Sequence, residues 1–168
     1  MVAFRCYDPS DDGSGGIHSW YYREISSDVR SAIDGALELM AREAKLDGHP
    51  SFKSLRLGRR CLGLAEIKID LPVTSNEKSK SDHKKSRKKK HNKKTEIHIR
   101  LLGPDNPPNV EFILLIGFLK TGNHQYGPMC KQAQNRKKRV TKDATRAKPC
   151  RFPKASDPRG EHSRQALP

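Results

Sequence analysis

The chain is predicted to fold as an α+β domain, with helices packed on a twisted, mostly antiparallel sheet. Three observations carry that expectation. Val29, Ile33, Leu37, Met40 and Ala44 recur at steps of four, four, three and four, which draws one apolar face along a helix. Residues 64–71 and 96–102 instead alternate apolar and polar with the period of a half-buried strand. The third is Val110–Lys120, where every residue from Phe112 to Leu119 is apolar except Gly117. A helical bilayer span needs about 20 apolar residues, so this run is read as a central strand covered on both faces, with Lys120 at its exposed end.

The other elements follow in order. Residues 2–7 read as a first strand, 8–16 as a turn-rich loop and 17–25 as a short aromatic helical segment. Ser26 or Ser27 can cap the long helix, and Asp28 suits the positive end of its dipole. Gly48 and Pro50 punctuate its end near Asp47. Residues 51–63 form a connector. In 64–71, Ile67, Ile69 and Leu71 face one way and Glu66, Lys68 and Asp70 the other. In 96–102, Ile97, Ile99 and Leu101 oppose His98 and Arg100. With a hairpin-length loop at 103–109, segments 64–71, 96–102 and 110–120 make an antiparallel meander. Pro128, suited to a first helical turn, opens a last helix to about Arg139. The folded domain is expected to span 1–140, interrupted by a basic insert at 74–95. The basic tail 141–168 has four prolines and few large apolar residues, and is read as disordered.

Charge is concentrated in the insert and toward the C-terminus. Of the formal net charge of +15, residues 78–94 contribute ten Lys/Arg against one Asp, and residues 136–168 eleven against three Asp/Glu. Such arms favour a polyanionic partner and say nothing about the fold. Cys6, Cys61, Cys130 and Cys150 are widely spaced, with no C-x-x-C and no zinc-like Cys/His pairing. With no charged-then-apolar leader at the N-terminus, they are expected to be four free thiols in a reducing, cytoplasmic setting. Phosphate-cradling Gly loops, paired acid–base carboxylates, HExxH and GxSxG are all missing, which leaves nucleotide hydrolysis, glycosidase, zinc-protease and esterase chemistry without support. No metal, other cofactor or membrane is expected.

Several words in the chain, taken in order, carry a resemblance. They are Trp20-Tyr21, Phe52-Lys53-Ser54-Leu55, and Gly63-Leu64-Ala65-Glu66-Ile67-Lys68. After these come Ile99-Arg100-Leu101-Leu102, then Phe112 through Lys120, and a Pro128-led helix ending in Ala133-x-x-Arg136. Over roughly residues 17–139 the chain resembles the RelE/HigB-like toxins of type II toxin–antitoxin systems, especially their phage-derived branch. The resemblance implies a small RelE-like fold and a metal-independent, ribosome-dependent endoribonuclease. Such an enzyme cuts mRNA by attack of a ribose 2′-hydroxyl on the adjacent phosphate. It also implies mRNA and the ribosome as partners, together with a neutralising helix-turn-helix antitoxin. Many phage-type relatives read Leu-His-Gly-Phe followed by two lysines. This chain has Leu115-Ile116-Gly117-Phe118 and then Lys120-Thr121, so another histidine, His124, would have to replace the missing one.

The residues suit such chemistry independently of the resemblance. In-line phosphoryl transfer needs cations on the developing phosphate charge, and Lys68, Arg100 and Lys120 fall on strands expected to pair. His98, His124 and Tyr126 are candidates for general acid or base. Lys53, Arg56, Arg59 and Arg60 of the connector, and Lys84, Lys85, Arg87, Lys88, Lys89 and Lys90 of the insert, are candidate RNA-backbone contacts. A different class of function stays open: a non-catalytic RNA- or ribosome-binding protein on the same scaffold. The insert also reads as a solvated low-complexity loop or, in a eukaryotic host, a nuclear-import signal.

Overall fold

The computed structural model describes residues 2–9, 15–43, 46, 48–73, 95–105 and 111–152. The first strand, β1 (Ala3–Tyr7), leads to a helical turn, α1 (Ile17–Ser19), which widens into a π-turn over Trp20–Glu24. Helix α2 (Ser27–Arg42) follows, its Ser26 hydroxyl accepting from the Val29 amide. This is the expected cap, and Val29, Ile33, Leu37 and Met40 are the buried face. The helix ends several residues before Gly48, and Ala44 lies outside the described residues.

The connector is more structured than its composition suggests. It contains a short strand, β2 (Phe52–Ser54), and a single turn, α3 (Gly58–Cys61). Strands β3 (Leu64–Val73) and β4 (Thr95–Pro104) pair along their whole length, with Lys68 opposite Arg100 and Asp70 opposite His98. The intervening 74–94 lies outside the described residues, and with it most of the basic insert. The apolar run, expected as one central strand, is divided at Leu115 into β5 (Glu111–Leu114) and β6 (Ile116–Lys120). These belong to different sheets. The larger has the order β2-β3-β4-β6, so β6 is an edge strand, antiparallel to β4. In the smaller, β5 lies parallel to β1, and β7 (Ala147–Pro149) runs antiparallel along its other side. The run is apolar because both sheets bury it, although neither holds it at its centre. At Gly117 the chain has no room for a Cβ, since one would overlap the Trp20 indole.

The last helix, α4 (Tyr126–Lys142), places Pro128 in its first turn as expected. Two hydrophobic clusters result. Ile67, Ile69, Ile99 and Leu101 pack with α2 on one face of the larger sheet. On the other side, Leu64, Leu102 and Ile116 pack with Tyr126, Cys130 and Ala133 of α4. The α+β expectation holds. The finer topology is a pair of sheets sharing a bent apolar segment.

Two further expectations are overturned. All four cysteines are bonded, as Cys6–Cys150 and Cys61–Cys130, across sequence separations of 144 and 69. Pairing of β1 with β7 brings the first pair together and packing of α3 on α4 the second, and spacing along the chain gave no sign of it. The domain also does not stop at 140. Residues 141–152 complete α4, form β7 and bury Cys150 and Phe152, with the Phe152 ring stacked on Tyr21 at 3.9 Å. Residues 153–168 lie outside the described residues. Among the described residues, no helix is long and apolar enough to cross a membrane.

Candidate functional site

The helices cover the larger sheet unequally. Strand pairing aligns Lys68, Arg100 and Phe118 in one row, and Asp70, His98 and Lys120 in the next. Side chains two apart on a strand share a face, so Glu66, Lys68 and Asp70 stand together, opposite the face packed on α2. Helix α4 covers the Leu64, Leu102 and Ile116 end of that face. The remaining end is an accessible polar shelf, with Tyr126, the first residue of α4, at its inner border.

Glu66 is the deep end of the shelf. Its side chain is 4% exposed and faces two cations, Lys68 Nζ at 3.5 Å and Arg100 Nε at 3.9 Å. The Tyr126 hydroxyl donates to Glu66 Oε2 at 2.5 Å. Burial, then this bond to a carboxylate, pushes the Tyr126 phenol up to about 12, so it stays protonated at neutral pH. The Tyr126 ring is wedged by Phe118 edge-on at 5.7 Å and carries the Lys120 ammonium 5.3 Å from its centroid.

Asp70 is the shallow end. It accepts from Arg100 Nη1 at 2.9 Å and lies 2.8 Å from His98 Nδ1. Arg100 also donates to the Ile99 carbonyl at 2.8 Å, while its buried Nε–H has no hydrogen-bond partner. An unmet buried donor costs about 1–3 kcal/mol, which other interactions of the fold must offset. A carboxylate can only accept, so Asp70 keeps a proton on His98 Nδ1 and leaves Nε2 as the nitrogen able to accept. The side chains of His98 and Lys68 are 41% and 34% exposed.

Burial opposes ionisation of Asp70, but the hydrogen bonds from His98 and Arg100 outweigh it and hold the carboxyl below its usual range. A carboxylate with a folded pKa below its unfolded value contributes stability that is complete above the unfolded pKa. That contribution disappears as pH falls through about 4 toward the folded value. Asp70→Asn is therefore expected to flatten the acid limb of stability against pH, measured as denaturant midpoints. An unchanged acid limb would mean that Asp70 adds nothing.

The expected cluster of Lys68, Arg100 and Lys120 is assembled, and His98 and Tyr126 join it. His124 does not. It is exposed on the 3₁₀ turn Asn123–Gln125, with no contact to the shelf among the described residues. Lys53 pairs in register with Glu66 and is exposed. Arg56, Arg59 and Arg60 are exposed on the connector, and Arg60 reaches the first turn of α4, where its Nη1 is 4.0 Å from the point a Gly127 Cβ would occupy. Lys84, Lys85, Arg87, Lys88, Lys89 and Lys90 lie outside the described residues. Sequence reasoning gave no role to Glu66 or Asp70. Strand alternation already put both on the face of Lys68, and that was the available signal.

No family model matches this chain, and no curated protein or solved structure is found to be similar to it.

Proposed function

We propose that the polar shelf binds an RNA phosphodiester and cleaves it by 2′-hydroxyl attack, using only side chains of the protein. The observation that carries this reading is the β3–β4–β6 register, which gathers Lys68, Lys120 and a carboxylate-oriented His98 on one accessible surface, with Arg100 buried beneath them. His98 Nε2 takes the 2′-hydroxyl proton. The O2′–P bond forms as the P–O5′ bond breaks, and the leaving oxygen is protonated from solvent. Lys68 and Lys120 stabilise charge on the non-bridging oxygens, while the buried Arg100 holds Asp70, and through it His98, in place. Products are a 2′,3′-cyclic phosphate and a free 5′-hydroxyl.

The narrower expectation, a ribosome-dependent toxin with a helix-turn-helix antitoxin in the cytoplasm, stays with the family resemblance. An adjacent reading frame for such an antitoxin would support it. Two disulfides favour an oxidising compartment, so free RNA is the simpler substrate. A second reading, RNA binding without cleavage, is favoured by one feature. Glu66 is fully engaged by Tyr126, Lys68 and Arg100, and is unavailable as a partner to His98. The test is incubation of purified protein with single-stranded RNA in excess chelator. Cleavage yielding 2′,3′-cyclic phosphate ends is expected. Retarded but uncut RNA would select the second reading, and neither binding nor cutting would end both.

A further inference from the structure

Helix α4 has a role in the second hydrophobic cluster, but its exposed edge is not explained by packing. Its seventeen residues include six Lys/Arg and no Asp or Glu. Lys138 and Lys142 are four residues apart, and Arg136, Arg139 and Lys142 three apart. Like charges at such spacings cost a few tenths of a kcal/mol per pair. Among the described residues, no ion pair involves Lys131, Lys138 or Lys142.

These lysines are ordered in space. Positions 127, 131, 134, 138 and 142 follow steps of three and four, and so draw one line along the helix. The line starts at Gly127, next to Tyr126 of the shelf and under Arg60. It passes Gln134, which donates to the Leu62 carbonyl at 2.6 Å, so the α3 turn flanks it. Lys137 donates to the Gly63 carbonyl at 2.8 Å and fixes the same turn. It ends at a shallow depression of about 360 Å³ lined by Gln134, Lys137, Lys138, Arg139, Thr141 and Lys142.

We propose that this edge of α4 is a second RNA surface, continuous with the shelf through Arg60, that takes the phosphate backbone of a strand several nucleotides long. The inference rests on the RNA reading of the shelf and specifies its substrate as an oligonucleotide. From Tyr126 to Lys142 the helix rises about 24 Å, the length of about seven phosphates at about 3.4 Å each in a stacked strand. A lipid surface fits less well. A helix lying on a membrane needs an apolar face beside its cations, whereas α4 exposes no large apolar side chain and uses its apolar face in the core.

The test compares the full chain with Lys131→Gln/Lys138→Gln/Lys142→Gln. Ligands are a single-stranded RNA of about twelve nucleotides, long enough to cover both surfaces, a dinucleoside monophosphate, and vesicles containing anionic lipid. The variant should bind the longer RNA about 10-fold more weakly at low salt, with the slope of log affinity against log salt reduced by about 2. Its dinucleotide binding should be unchanged, and Lys131→Arg/Lys138→Arg/Lys142→Arg should retain the slope of the unaltered protein. An unchanged slope overturns the inference. If Lys68→Gln still weakens the dinucleotide, the shelf reading survives that result. Equal loss on both RNAs also overturns the inference, because the lysines then act through the fold. So does lysine-dependent binding to vesicles without binding to RNA. If the unaltered protein binds neither RNA, both readings fall together.

Discussion

Reduction of the folded protein, or replacement of Cys6 and Cys150 by serine, is expected to lower its stability by about 2–5 kcal/mol for that bridge alone. The effect is near the upper end because the entropy that a cross-link removes from the unfolded chain grows with the length of the closed loop, and this bridge joins residues separated by 144 positions. It also fastens a structural element. Cys6 lies in β1, the middle strand of the smaller sheet, and Cys150 follows β7 directly. Its amide donates to the Phe4 carbonyl at 3.2 Å. Releasing it frees β7 and removes the restraint on Phe152, which stacks on Tyr21 and meets His18 edge-on at 5.8 Å. Loss of a buried aromatic typically costs about 3–5 kcal/mol, so reduction and truncation before Phe152 should have comparable effects. Urea midpoints with and without thiol reductant measure the first. Peptide mapping under non-reducing conditions should recover Cys6 with Cys150 and Cys61 with Cys130. Alkylation of all four thiols in native protein would refute the pairing.

The second bridge bears on the shelf. Cys61 lies in α3 with Arg59 and Arg60, and Cys130 lies in the second turn of α4, one turn beyond Tyr126. The bond therefore holds two connector cations beside the origin of the α4 basic edge. The Lys137–Gly63 and Gln134–Leu62 contacts hold the same turn, so opening this bridge should loosen the connector without unfolding the sheet.

What could be read from the chain follows the range of the interactions. Helix α2 and strands β3 and β4 have local periodicity, and their faces were legible residue by residue. That alternation also placed Lys68 and Arg100 correctly, because opposed residues on paired strands share a face. The split at Leu115 was not legible. A run apolar on both sides reads as one buried strand whether one sheet or two surround it. The Leu115 amide donates to the Leu102 carbonyl while its neighbours on either side pair with different strands. The disulfides were hidden for the same reason, since they depend on which strands and helices adjoin. The order at 141–152 rests on Ala147, Cys150 and Phe152 among charged residues and Pro149, too few apolar residues to give a period.

Replacing His98 is expected to lower RNA cleavage by about 10²–10⁴-fold while leaving fold and RNA binding nearly intact. It is a better probe than Arg100. The Arg100 side chain is 7% exposed, and its removal leaves Glu66 buried with one fewer cation and Asp70 without its guanidinium. Breaking a buried pair in this way costs about 3–5 kcal/mol, so lost activity in Arg100→Ala could not be separated from lost structure. The His98 ring is partly in solvent, and Asp70 keeps Arg100 as a partner when it goes. His98→Gln should therefore retain its denaturant midpoint within about 0.5 kcal/mol, as surface changes generally do, and still retard uncut RNA. Tyr126→Phe makes the complementary control. It removes the donor to Glu66 Oε2 without touching His98, so it should cost stability more than turnover. Cleavage by His98→Gln at the unaltered rate would rule out the His98 mechanism. In that case the cations of the shelf would be binding residues, and the protein an RNA-binding one without hydrolytic chemistry at this face.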